Sequence, residues 1–220
     1  MSEEQGHGII LRIHPYSETS LVVHWLTLEQ GRVGTLIKGA RRPQSPIQGR
    51  VDLFFAGRLS YLRSSRSTLH TLKEFVPELR HEGVRSDYEK LVQACYGVGL
   101  VERATESETP IPEVFALFLQ WLDQLERHPF MPRMVFALEV RLLETLGLDP
   151  SQSDQLPEET RTLLQQLAAS DWSDLHQLHA TGPAVRQLSE FLKRALVDSF
   201  GSIPATRLEA IGKGPRKGSS

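Results

Sequence analysis

The spacing of hydrophobic positions changes period once along this chain, near residue 80. Before that point the pattern is that of strands. Residues 8–14 form a β-rich apolar run, and Pro15-Tyr-Ser-Glu-Thr19 supplies turn chemistry behind it. Through 20–27 the side chains alternate, with Leu21, Val23 and Trp25 on one face and Val22, His24 and Leu26 on the other. Both faces are largely apolar, which predicts a strand covered on two sides. Glu29-Gln-Gly31 predicts a turn, 32–38 a third strand, 51–62 a long strand bent or bulged at Gly57, and 67–75 a fifth. Five short strands with Gly-rich turns in about 70 residues suit a small closed barrel such as an OB-fold, and a three-on-two sandwich nearly as well.

After Pro77 the period becomes 3.6. Ser86-Asp-Tyr-Glu89 has the form of a capping box and predicts a helix whose apolar stripe is Tyr88, Leu91, Val92, Cys95 and Val98. Pro112 opens a second helix with Phe115, Phe118, Leu119, Leu122 and Leu125. Pro132 opens a third, through Met134, Val135, Leu138 and Leu142, which Gly147 closes. A polar linker follows over 149–157, then a shorter helix through Leu163, Leu164 and Leu167. The last long helix runs over 183–200, stops at Gly201, and is expected to bury Val185, Leu188, Phe191, Leu192, Leu196 and Val197. The expected layout is α+β: a barrel over 1–80, a helical bundle over 81–212, and a disordered basic tail over 213–220.

Composition is that of a soluble globular protein, and no apolar run approaches the roughly 20 residues that span a bilayer. The polar, acidic first residues do not resemble a secretory signal, so a cytoplasmic location is expected. The formal net charge of −2 conceals an asymmetry. Residues 1–80 carry 11 Lys and Arg against 7 Asp and Glu, whereas 81–220 carry 14 against 20. A basic half on an acidic half directs a polyanion, if there is one, to the first half.

The densest basic segment is Lys38-Gly-Ala-Arg-Arg42 and its continuation to Arg50, about a dozen residues with no acid. Cations on a Gly/Pro/Ser loop suit phosphate oxygens, because each contact releases condensed counterions. A solvated hairpin that is basic by chance has the same composition. Of the aromatics Tyr16, Trp25, Phe54, Phe55, Tyr61 and Phe75, a barrel this small needs most inside. Trp25 belongs to the core face, one of Phe54 and Phe55 is expected to face outward, and Tyr16, in a turn, is the candidate for stacking on a base. No phosphate-binding, hydrolase or metalloprotease motif is present. The single cysteine, Cys95, excludes an internal disulfide and a cysteine-rich metal site, and reads as a buried structural residue. His176 and His179 lack a third ligand nearby and read as an exposed helix face. No metal, cofactor or catalytic residue is expected.

Gly8-Ile-Ile-Leu-Arg12, Tyr16-Ser-Glu-Thr-Ser-Leu21, Gly31-Arg-Val33 and Lys38-Gly-Ala-Arg-Arg42, in this order and spacing, resemble the N-terminal signature of the RecO family. Leu142-Leu-Glu-Thr-Leu-Gly147 and the segment from Arg194-Ala-Leu to Arg207 resemble its helical half. The resemblance implies an N-terminal five-stranded OB-fold barrel followed by an α-helical domain. It implies a non-enzymatic recombination mediator that binds single- and double-stranded DNA and anneals complementary strands. The implied protein partners are RecR and the acidic C-terminal tail of single-stranded DNA-binding protein, in the service of RecA loading beside the nucleoid. Lys38, Arg41, Arg42 and Arg50 match the family's basic loop, and Arg32 and Arg12 are second-rank candidates on neighbouring strands.

A receptor for an acidic tail needs an apolar slot rimmed by a cation. Arg133 and Arg141 on the third long helix and Lys193 with Arg194 on the last are the candidates, unless all four merely solvate their helices. Many family members carry a four-cysteine zinc knuckle after the segment matching Leu148-Asp-Pro150. Residues 151–180 here contain no cysteine, so that site cannot form and packing around Leu163 to Leu167 must replace it. The alternatives are an OB-fold RNA-binding protein and a protein-interaction adaptor whose basic loop is incidental.

Overall fold

The computed structural model describes residues 2–148, 150 and 156–213. These form two compact units. The first takes the residues up to Glu82 together with Thr105–Leu119, and the second takes Gly83–Ala104 and the chain from Gln120 onward.

The first unit is a closed barrel of β1 (Glu3–Pro15), β2 (Leu21–Thr27), β3 (Gly31–Ile37), β4 (Ala56–Leu62) and β5 (Leu69–Leu79), paired in the order β1-β2-β3-β5-β4. All pairs are antiparallel except β3 with β5. That order and the single parallel seam define the OB topology, and the sandwich alternative falls. Thirteen-residue β1 supplies both seams: Glu3 to Ile9 pair with β4, and Gly8 to Pro15 pair with β2. A bulge between Ile10 and Arg12 bends it from one partner to the other.

The interior is filled by alternate residues of every strand, among them Ile10, Val23, Trp25, Val33, Tyr61 and Phe75. Trp25 meets Phe75 edge-on at 4.8 Å, and its Nε1 donates to Thr35 Oγ1 at 2.8 Å, so the buried indole N–H is satisfied. Gly57 stands at an irregularity in the β4–β5 pairing, as its place in the sequence predicts. A Cβ there would lie 2.1 Å from the Val76 carbonyl oxygen, so only glycine allows the strands this close.

Two details of the barrel differ from the pattern. The fourth strand begins at Ala56 and not at 51, and Phe54 and Phe55 are both buried. Alternation fails because Phe54 has φ 65°, which turns the chain between the two rings. Its N–H donates to Ile10 O and Ile10 N–H donates to Phe55 O, both at 2.9 Å. The fifth strand also continues past Pro77, to Leu79.

The short helix α1 (Glu82–Ser86) is followed by α2 (Tyr88–Ala104), α3 (Pro112–Arg127), α4 (Pro132–Thr145), α5 (Glu158–Ala169), a 3-10 turn (Trp172–Gln177), α6 (Gly182–Phe200) and α7 (Arg207–Ala210). Asp87, not Ser86, caps α2: its Oδ1 accepts from the Glu89 and Lys90 N–H groups, while Ser86 Oγ turns back to Gly83 O. The cap is therefore displaced by one residue and is a simple N-cap, without the reciprocal bond of a box. The buried stripe of α2 runs through Gln93, Tyr96, Gly97 and Leu100; Val98 is buried as expected, while Tyr88 and Cys95 are exposed. Gly147 closes α4 with N–H bonds from Gly147 to Glu144 O and from Leu148 to Leu143 O. On α6, Leu188, Leu192 and Leu196 are buried as expected, Val185 and Phe191 are half-buried, and Val197 is exposed. Most of the linker at 149–157 and the tail beyond residue 213 lie outside the described residues. Among the described residues, no helix is long and apolar enough to cross a membrane.

At the centre of the second unit lies an ion pair with almost no exposure. Arg207 Nε and Nη2 donate to the two Glu139 oxygens at 2.7 and 2.8 Å, and Nη1 reaches Ser189 Oγ at 3.2 Å. The Tyr96 hydroxyl donates to Glu139 Oε1 at 2.6 Å. Burial opposes the Arg207 charge, but the bonds and charge of Glu139 outweigh it and hold that guanidinium above its usual pKa. Burial and the same carboxylate push the Tyr96 phenol far up. Gln93 Nε2, also buried, ties the start of α4 to α7 through Met131 O and Ala210 O, at 3.0 and 3.1 Å.

Removal of one partner strands a buried charge. Arg207→Ala should cost about 3–5 kcal/mol in urea unfolding of the second unit, and Glu139→Gln/Arg207→Met much less. In the barrel, the buried Tyr61 hydroxyl has no partner among the described residues. Burial, with Glu4 next, pushes its pKa up to about 12. A phenol raised on folding adds stability that is whole below its unfolded value near 10 and lost as pH climbs through 12. Tyr61→Phe should flatten the alkaline fall in barrel stability over that window, as followed by circular dichroism.

Candidate nucleic-acid interface

The β3–β4 connection, residues 38–55, is a chain of turns with no helix of its own. Successive turns are pinned by N–H bonds from Arg42 to Gly39 O, Ser45 to Arg42 O, Gln48 to Ser45 O and Arg50 to Ile47 O, at 3.0–3.1 Å. Ile47 and Val51 fold inward against the barrel core, which leaves the cationic residues outward. Lys38, Arg41, Arg42 and Arg50 are all exposed.

The four do not act on one surface. Lys38, Arg42 and Arg50 border a groove of about 810 Å³, joined by Lys73 from β5. Its floor is apolar, from Ile37, Ile47, Leu72 and Phe75, and Glu3 and Glu74 add two carboxylates to its walls. Arg41 turns the other way. Its N–H donates to Thr19 O at 3.0 Å and its Nη1 to Ser17 O at 3.1 Å, so it braces the β1–β2 turn. That turn is built locally: Ser17 Oγ accepts the Thr19 and Ser20 N–H groups, and Tyr16 N–H donates to Ser20 O at 3.0 Å. Tyr16 stands there 63% exposed, apart from the groove. Arg12 is exposed on the outer face of β1, opposite His24.

Arg32 is placed differently. Its Nε donates to Thr105 Oγ1 at 2.9 Å and its Nη2 to Thr105 O at 2.7 Å, while its own carbonyl accepts from Glu108 N–H and Ser107 Oγ. Residues 105–109 thus run as a strap along β3, bridged in parallel at Arg32 and Ser107. Gly31, φ 70°, would put a Cβ 2.2 Å from Thr109 O, so only glycine admits the strap at this height. The Glu108 carboxylate pairs with Arg63 and reaches the buried His70, whose ring stacks on Tyr61 at 5.1 Å. Arg32 fastens the strap to β3 and does not border this groove. Lys73, a lone cation on a strand of ordinary alternation, carries no sequence signal beyond its charge.

In the second unit, the candidates for a partner's tail also separate. Arg133 Nη1 donates to His176 O at 3.0 Å and also borders an apolar cavity of about 340 Å³. Phe130, Phe136, Leu163, Leu167 and Val185 make most of its wall. Arg141 is spent on structure: it donates to Leu167 O and Ser170 O and lies 3.8 Å over the Trp172 ring. Burial lowers its pKa. Lys193 and Arg194 are exposed on α6 and border no part of that cavity. In the stretch where a zinc knuckle was in question, the described residues pack Leu163, Leu164, Leu167 and Leu175 inward. The two arginines staple the segment's carbonyls to α4. His176 Nδ1 contacts Ser173 O, and among the described residues no group of three or more potential ligands is placed to hold a metal ion.

A closed OB barrel with a cation-lined groove, carried with a separate helical unit, is the class that fold and site define. Two family models match: Recombination protein O N terminal over residues 1–77, and Recombination protein O C terminal over 85–156. The chain belongs to the RecO family. Similar curated proteins bear the name DNA repair protein RecO. The Bacillus subtilis protein is 34% identical over 65% of this chain and 55% of its own length. That of Rhodopirellula baltica is 29% identical over 66% and 53%, and that of Actinobacillus pleuropneumoniae serotype 5b 29% over 93% and 92%. The chain therefore spans little more than half of the first two relatives and nearly all of the third.

If Arg32 is structural, Arg32→Met should lower barrel stability by about 1–3 kcal/mol, as expected for hydrogen bonds from a charged group. Retention on a heparin column should stay close to wild type.

Proposed function

We propose that this chain is a non-enzymatic recombination mediator in DNA repair, which binds single- and double-stranded DNA on its barrel and promotes annealing of complementary strands. With RecR it helps RecA load onto DNA coated by single-stranded DNA-binding protein, in the cytoplasm beside the nucleoid. Family membership supports the repair role. The observation that carries the DNA reading is the convergence of Lys38, Arg42, Arg50 and Lys73 on one groove. Phosphates would meet the rim cations, and the apolar floor suits the faces of unpaired bases. Glu3 and Glu74 repel a backbone that strays from the cationic rim.

Titration of labelled single-stranded DNA at several salt concentrations should give a log–log slope of about −2 to −3, for three to four phosphate contacts. Lys38→Glu/Arg42→Glu should weaken binding at least tenfold for every sequence without lowering the melting temperature. Unchanged affinity would sink the groove. Equal or better competition by RNA would favour the RNA-binding alternative, since nothing in the groove is placed to exclude a 2′-hydroxyl.

For the partner's acidic tail, the apolar cavity beside Arg133 is the slot of choice: a terminal hydrophobic side chain fills it while the guanidinium meets the carboxylate. A tail peptide should bind about tenfold more weakly to Arg133→Ala, while Lys193→Ala/Arg194→Ala binds as wild type. The reverse pattern would move the slot to α6.

A further inference from the structure

The short basic run that follows β3 is steered residue by residue. Ala40 is buried against the barrel core, between the exposed Lys38 and Arg41. Arg42 folds back over Gly39, whose φ is 70° and whose carbonyl accepts the Arg42 N–H at 3.1 Å. A Cβ on Gly39 would lie 3.5 Å from Arg42 Cδ and 3.6 Å from its Nε, so the arginine stem runs along this bare stretch of backbone. Arg41 goes the other way, fastened by its N–H and its Nη1 to the carbonyls of Thr19 and Ser17. Those carbonyls sit on a held turn: Ser17 Oγ accepts the Ser20 N–H at 3.2 Å, and the Tyr16 and Ser17 N–H groups both donate to Ser20 O. From Arg42 to Val51 the loop has only its own turns and the packing of Ile47 and Val51 to order it.

We propose that Arg41 is a positioning residue for the groove: it meets no phosphate, and its bonds to the Ser17 and Thr19 carbonyls order the loop so that Lys38, Arg42 and Arg50 stand as a fixed rim. The proposal rests on the groove being the DNA site. A cation that touches phosphate and one that places its neighbours differ in what salt does to them. The first releases condensed counterions and adds about 0.7 to the salt slope per contact on a single strand. The second adds nothing to the slope. It acts by removing freedom from the loop beforehand, so that less is lost when DNA binds. Arg42 cannot stand in for its neighbour, because its own N–H is given to Gly39 and its side chain borders the groove. Ser17 acts through Arg41, by shaping the turn that offers the carbonyl.

Two variants of the full chain separate these roles. Arg41→Ala removes the brace together with a charge. Ser17→Ala removes no charge, lies outside the groove and takes away only the hydroxyl that shapes the turn. In both, amide hydrogen exchange over residues 42–50 of the free protein should quicken about threefold or more. Affinity for labelled single-stranded DNA should fall about fivefold at every salt concentration, with the wild-type slope retained. Arg42→Ala, the comparison, should lower the slope by about 0.7, and melting temperature controls for folding in all three. A lowered slope in Arg41→Ala, with Ser17→Ala binding as wild type, makes Arg41 a phosphate contact; that overturns the proposal and leaves the groove standing. Faster exchange with undiminished affinity reduces Arg41 to a brace of the fold and overturns it too, as does wild-type behaviour in both variants. Wild type that binds no DNA removes the groove reading and this proposal with it.

Discussion

Everything the barrel offers to a ligand depends on β1 pairing along both its edges. A five-stranded sheet of this length closes only if one strand is long enough to meet both neighbours and can bend between them. The bulge between Ile10 and Arg12 does the bending, and the Phe54–Phe55 turn locks it by bonding to Ile10. Closure carries the end of β3 round to β5, which is why Lys73 shares a groove with a loop more than twenty residues earlier in the chain. The β1–β2 hairpin, independently of closure, sets Arg12 beside His24 on the outer wall.

Residue types and spacing made the strands, the long helices and the basic loop legible, because those depend on period and turn chemistry within a few residues. Trp25 inside, Gly57 at an irregular pairing and Gly147 closing α4 follow from local rules. What escaped depends on contacts far apart in the chain. Arg32 read as one more cation on a strand, and only the strap at residues 105–109 turns it into a tie. Arg41 and Arg42 are alike in sequence and face different surfaces because the carbonyls of Ser17 and Thr19 hold one of them. Phe54 escaped for a simpler reason: one positive φ breaks the alternation that would have put one of the two rings outside.

In the second unit, cationic side chains tie the 156–180 segment to α4. Arg133 and Arg141 reach from α4 to carbonyls of the 156–180 segment, and the stack of Arg141 on Trp172 adds a planar contact. The cavity beside Arg133 is an outcome of the same scaffold, since that arginine is both staple and rim.

The Glu139–Arg207 pair has a consequence for the order in which the polypeptide takes shape on the ribosome. The unit that holds the barrel ends at Leu119, whereas Glu139 waits for Arg207, the cation it pairs with. About 90 residues separate the two points, some 5 to 18 seconds of synthesis. During that interval the nascent chain bears a finished barrel and a helical half still open around an unpaired carboxylate. The barrel-bearing unit is thus complete before the other has closed.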